Sequence, residues 1–98
     1  MSSGEAVPSG AESAAQPAAE VFALDTCPPC MRLLKQLRLA KADFRFVDIE
    51  LRPEAADWVA KVNDGAYTVP TVRYRDGSVQ TQPTFAEVMA KIAELNSD

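Results

Sequence analysis

Cys27-Pro28-Pro29-Cys30 holds the only two cysteines of the chain, and it stands where a short apolar run gives way to a helical repeat. That junction constrains the fold more than any other feature. Upstream, Glu20 to Leu24 (EVFAL) is short, apolar and partly β-branched, as a buried strand is. Downstream, Cys30, Leu33, Leu34 and Leu37 recur at the spacing of one helix face, with Arg32, Lys35 and Arg38 off it. The alternation then repeats. Phe44 to Ile49 reads as a second strand, with Phe44 and Phe46 on one side. Pro53 opens a second helix, since its missing N–H costs nothing in a first turn, and Glu54 suits the positive end of the dipole. Ala55, Trp58, Val59 and Val62 make its apolar face, with Trp58 as a packing anchor, and Asn63-Asp64-Gly65 stops it.

Thr71 to Tyr74 is a third strand. Asp76-Gly77 predicts a two-residue hairpin that returns through Ser78 to Thr81. Thr84 with Glu87 forms a capping box for a last helix, whose buried face is Phe85, Val88, Met89 and Ile92. The order β-α-β-α-β-β-α is that of an α/β domain. A β-α-β unit makes its strands parallel, and the closing hairpin adds antiparallel pairing. The expectation is a four-stranded mixed sheet flanked by three helices.

Residues 1–19 differ from the rest. They are mostly Ala, Ser, Gly, Pro, Gln and Glu, with only Met1 and Val7 as larger apolar residues. Such a stretch cannot bury enough surface to offset its ordering entropy, so it reads as a disordered acidic tail ahead of a domain spanning 20–98. It lacks the basic start and apolar run of a secretory signal, which points to the cytoplasm. A net charge of −4 argues against binding nucleic acid through phosphate contacts. No apolar run is long enough to span a membrane. The chain has no His, so neither a Cys/His zinc site within one chain nor a histidine-based triad can be assembled; no metal is expected.

The two cysteines are left as the chemical lead. Three positions apart at a helix start, two sulfurs can reach bonding distance without long-loop strain. A helix start favours a thiolate at Cys27 through free N–H groups and the dipole. Cys27 is the exposed thiol at the loop end; Cys30 begins the apolar face and is the more buried one. A structural disulfide would gain little here, because so short a loop gives little entropic stabilisation. Two inert core thiols would suit Cys30 but not Cys27, which follows Asp25-Thr26 at a strand end. Half of a metal site shared between two chains is the third competing reading. A CxxC in a β-α-β context favours redox chemistry over all three.

Thr68-Val69-Pro70 is the second element. A proline opening a strand belongs at its start or edge. A cis bond before Pro70 would turn the Val69 backbone outward, where it can pair with an extended thiol or peptide. Alone, the tripeptide also reads as an ordinary strand start.

Taken together, the CxxC, the Thr-Val-Pro and the element order from Glu20 to Leu95 resemble the thioredoxin superfamily and, within it, the glutaredoxins. Residues 62–65, 68–72 and 76–78 with Glu87-Val88 look most like the mycoredoxins, bacterial glutaredoxin-like reductases that use mycothiol. The resemblance implies a thioredoxin-like fold and a thiol–disulfide oxidoreductase with Cys27 as nucleophile and Cys30 as resolving thiol. It implies Pro70 as the cis-proline, mycothiol or another small thiol as co-substrate, and no tightly bound cofactor. Protein mixed disulfides, and a disulfide reductase, are the implied partners of a monomer. Residues expected around the substrate are Thr26, Pro28, Pro29, Thr68, Val69, Pro70, Gln82 and Thr84. Two departures stand out. Glutathione-using relatives commonly place Gly-Gly and then an acid where this chain has Gln80-Thr81 and Thr84, which leaves a neutral Gln82/Thr84 wall. Pro-Pro also replaces the usual Gly-aromatic pair between the cysteines. A dithiol electron donor, or a module bridging an iron–sulfur cluster in a dimer, are the alternative readings.

Overall fold

The computed structural model describes residues 16–97, in which the strand and helix periods settle into seven elements. These are β1 (Ala19–Ala23), α1 (Pro28–Leu39), β2 (Phe44–Asp48), α2 (Pro53–Val62), β3 (Thr71–Tyr74), β4 (Val79–Thr81) and α3 (Phe85–Leu95). The sheet order is β2-β1-β3-β4. Strands β1 and β2 are parallel, and the β1–β3 and β3–β4 pairs are antiparallel. The mixed sheet expected from the element order is therefore present.

Alternation along β1 sends successive side chains to opposite faces. Val21, with Val72 and Tyr74 of β3, packs against Cys30, Leu33, Leu34 and Leu37 of α1 and Val88 and Ile92 of α3. Phe22 faces the other way, onto Ile49 and onto Ala55 and Val59 of α2. Leu34, Leu37, Val59 and Val88 are fully buried. Each side chain of this kind stabilises the fold by about 1.5–3 kcal/mol. The pairings Ala23↔Asp48, Phe22↔Thr71 and Thr71↔Thr81 bring the ends of β1, β2 and β4 and the start of β3 to one edge. The segments 24–27, 49–52, 63–70 and 82–84 all emerge there.

Four details correct the sequence reading. The first strand begins at Ala19 rather than Glu20, and Ala18 and Ala19 are fully buried. The Ala18 N–H donates to the Asp43 carboxylate at 3.2 Å, and its carbonyl accepts from Arg75 at 2.9 Å. Composition missed this because alanines bury little area yet fit a tight backbone contact. Of the tail expected over residues 1–19, residues 1–15 lie outside the described residues.

The hairpin has three loop residues, Arg75-Asp76-Gly77, rather than two. Tyr74 N–H donates to Ser78 at 2.9 Å, Gly77 N–H donates to Tyr74 at 2.9 Å, and within the loop Gly77 has the left-handed φ, +92°. Asp-Gly serves both loop types, and here the Asp76 carboxylate accepts from the Ser78 N–H at 3.0 Å and anchors the longer one. Val62 is 39% exposed, because α2 ends as its apolar face runs past the sheet. Phe85 and Met89 of α3 are only partly buried at the edge of the core.

Candidate active site

Cys27 is the N-cap of α1, in extended conformation, and Pro28 and Pro29 fill the first two helical positions. Neither proline needs an intrahelical partner there. Their presence also removes two of the N–H groups that a helix start ordinarily offers an anion, a cost to the expectation of several free donors. The helix ladder begins with Met31 N–H donating to the Cys27 carbonyl at 3.0 Å. No acid sits in the first turn to oppose negative charge.

Cys27 is half-buried and Cys30 fully buried, and both are free thiols. Burial pushes the Cys30 thiol up to about 12, and the neighbouring Cys27 side chain works in the same direction. Cys30 therefore keeps its proton at neutral pH. One thiol is partly open to solvent and the other is shut away from it.

The structure brings Thr68, Val69 and Pro70 to the same edge. Pro70 is buried, Val69 half-buried, and the bond between them is cis. Val69 packs on both halves of the core. Thr26, Pro28 and Pro29 are exposed around the first cysteine. Gln82 is exposed in left-handed conformation (φ +52°), and its N–H donates to the Pro70 carbonyl at 2.7 Å. Its side-chain amide reaches the Val69 carbonyl at 3.5 Å. Thr84 completes the capping box: its hydroxyl accepts from Glu87 N–H at 3.1 Å, and its own N–H donates to the Glu87 carboxylate at 2.8 Å.

The expected Gln82/Thr84 wall is divided between two surfaces. Thr84 lines a groove of about 390 Å³ between α1 and α3 that opens beside Pro29, whereas Gln82 clasps the loop before β3. Arg32 and Gln36 also line the groove, over a floor of Leu33 and Phe85. Sequence reasoning placed Arg32 on a solvated face and left Gln36 unread; only the packing of α3 beside α1 gives them a common opening. Asn63 was missed as well, beyond its part in stopping α2.

Fold and cysteine pair define a class: a thioredoxin-like domain with a dithiol at a helix start. Residues 19–79 match the glutaredoxin family. Mycoredoxin 1 of Corynebacterium glutamicum is 48% identical over 75 residues, covering 76% of this chain and 92% of that protein. A Mycobacterium tuberculosis protein is 39% identical over 75 residues, covering 76% and 89%. Among solved structures, a glutaredoxin from Archaeoglobus fulgidus has a TM-score of 0.61 at 26% identity, over 79% of this chain and 87% of that one. A thioredoxin-like protein has a TM-score of 0.62 at 24% identity, over 76% and 97%, and supports the fold. The chain belongs to the glutaredoxin family and is a thiol–disulfide oxidoreductase. Among the described residues, no helix is long and apolar enough to cross a membrane.

Proposed function

We propose that this protein reduces mixed disulfides between proteins and a small thiol, and that the small thiol is mycothiol. Cys27, as thiolate, attacks the small-thiol sulfur of the mixed disulfide. The protein thiolate leaves and takes a proton, and Cys27 holds the small thiol as a new disulfide. A second small thiolate attacks that adduct, forming the symmetric small-thiol disulfide and releasing Cys27; a disulfide reductase then reduces the dimer. Alternatively Cys30 gives up its proton and attacks Cys27, which expels the small thiol and leaves an intramolecular disulfide. Thr26, Pro28, Pro29 and the Thr68–Pro70 loop surround the adduct in this reading. The cytoplasm, where thiols are kept reduced, is the fitting compartment, and the monomer is the proposed acting form.

The observation that carries the reading is a half-buried Cys27 at the N-cap of α1 with a fully buried Cys30 three positions on. The choice of small thiol rests on the groove beside it. Arg32, Gln36 and Thr84 line that groove, and among the described residues no carboxylate does. The ammonium of glutathione would meet Arg32 without a charge partner. A polyhydroxylated sugar–inositol unit can instead use the Gln36 amide, the Thr84 hydroxyl and the guanidinium as neutral or charge-assisted hydrogen-bond partners. The 48% identity to a protein named mycoredoxin 1 supports the same choice.

The test compares three substrates with the purified protein: a peptide disulfide-bonded to mycothiol, the same peptide bonded to glutathione, and a disulfide reduced through thioredoxin reductase. Preference for the mycothiol adduct is expected. Equal or better turnover of the glutathione adduct contradicts the choice of thiol, and full turnover through thioredoxin reductase alone favours a dithiol electron donor.

A further inference from the structure

Asn63 closes α2, and one of its hydrogen bonds explains only that: the side-chain amide donates to the Val59 carbonyl at 2.8 Å, within the last turn. Its other bonds leave the helix. The same amide donates to the Thr71 hydroxyl at 3.2 Å, and the Asn63 side-chain oxygen accepts from the Thr81 hydroxyl at 2.8 Å. Thr71, fully buried at the start of β3, spends its one hydroxyl proton on the Thr68 carbonyl at 2.6 Å. A continuous chain of donors thus runs from β4 through α2 to the loop Thr68-Val69-Pro70. Gln82 holds the other side of that loop by donating to the Pro70 carbonyl at 2.7 Å.

The direction of the chain matters. The N–H that Asn63 gives to the Thr71 oxygen leaves the Thr71 proton free for Thr68 and orients it there. A carboxylate at position 63 would have no proton to give and would draw the Thr71 hydroxyl to itself. An amide is the side chain that supplies two donors and one acceptor at this length.

We infer that Asn63, acting through Thr71, is a positioning residue that holds the Thr68–Pro70 loop ready to pair with the extended part of a substrate bound at Cys27. The inference rests on the reading that this loop borders the substrate. It adds a residue outside the cysteine pair to substrate recognition, without contact to the reacting sulfurs.

The experiment uses Asn63→Asp, Thr71→Val and the conservative Thr71→Ser in the full chain. Turnover is measured on one cysteine peptide as its mycothiol adduct, its glutathione adduct and its own disulfide dimer. Alkylation of Cys27 by iodoacetamide, a reagent too small to need the loop, is followed in parallel, with amide exchange at Gln82, whose N–H is bonded to the Pro70 carbonyl. For whichever disulfides the wild type turns over, Asn63→Asp and Thr71→Val should raise KM about tenfold with kcat within about twofold, the size expected from one lost ordering hydrogen bond. Exchange at Gln82 should quicken, the iodoacetamide rate should hold, and Thr71→Ser should behave as wild type. A wild-type preference for the glutathione adduct refutes the mycothiol assignment and leaves this comparison intact. Faster amide exchange with unchanged KM overturns the positioning role, as does a Thr71→Ser variant as impaired as Thr71→Val.

Discussion

The two ends of β1 solve opposite problems. At its start, Glu20 is buried and meets two guanidiniums, Arg45 across the parallel pairing and Arg73 across the antiparallel one. Arg73 in turn lies 5.0 Å over the Phe22 ring and 4.8 Å over Trp58. The three charges are paired with one another on the face of the sheet that α2 covers. Past the other end of the strand the groups are partly open: a half-buried Cys27, a cis-proline loop and a left-handed Gln82. Saturated pairing suits stability; a sulfur that must form and break bonds needs an open side. Structural duty at Glu20 and chemical duty at Cys27 are thus seven positions apart along the chain.

Substitutions can break that division. The largest effect expected is on chemistry. Cys27→Ser should abolish all exchange, whereas Cys30→Ser should keep activity on small mixed disulfides, because only Cys27 is reached from solvent. Turnover of the same adduct by both variants checks it; full activity without Cys27 overturns the assignment.

At the charged end the loss should appear in stability alone. Glu20 is 10% exposed in its side chain, but Arg45 is 57% and Arg73 39% exposed, so the pairs are discounted for screening. Glu20→Gln should then cost about 1–3 kcal/mol in urea unfolding with kcat/KM unchanged. Burial alone would raise the Glu20 pKa, yet hydrogen bonds and charge from Arg45 and Arg73 hold it below the usual carboxylate range. A depressed carboxyl binds fewer protons folded than unfolded, so its contribution is present above about pH 4.5 and fades as pH falls through the folded value. The wild type should lose that increment on acidification, and Glu20→Gln should lose less.

Much of this division was legible in the sequence, for reasons that differ residue by residue. The α1 stripe of Cys30, Leu33, Leu34 and Leu37 announces itself by period, and Thr84 with Glu87 by a capping rule only three residues long. Both signals are local. Asn63 was legible only as a helix stop, because Thr71 and Thr81 lie 8 and 18 residues away and nothing short of the folded sheet joins them. The Glu20 cluster escaped notice for the same reason: Arg45 and Arg73 come from two different strands. Arg32 read as lying off the apolar face, and Gln36 carried no signal at all, until α3 gave that side of α1 a second wall.

Smaller effects sharpen the contrast. Cys30 binds its proton more tightly folded than unfolded, since its thiol is pushed up from 9.0 to about 12. Its contribution is therefore complete below about pH 9 and is lost as pH climbs toward 12. Between those limits the wild type should weaken more steeply than Cys30→Ser, measured as the difference between their urea midpoints.

Gln82→Gly should stabilise the fold by about 1 kcal/mol, since glycine adopts the left-handed conformation without a side-chain penalty. If the Gln82 side chain also serves the site, the same change lowers turnover, so melting temperature and kcat/KM should move in opposite directions. Deletion of residues 1–15 should be the smallest change of all, with turnover as in the full chain. A deletion carried through Ala19 should instead loosen the start of β1, an inner strand, because Ala18 and Ala19 are buried.

The most direct measurement is to trap the exchange once. Cys30→Ser is mixed with one equivalent of the mycothiol adduct, quenched, and mapped by mass spectrometry. The account predicts one mycothiol held in disulfide linkage on Cys27 and stoichiometric release of the free peptide thiol. Peptide retained on the protein in place of mycothiol, or release of peptide with Cys27 left unmodified, would contradict it.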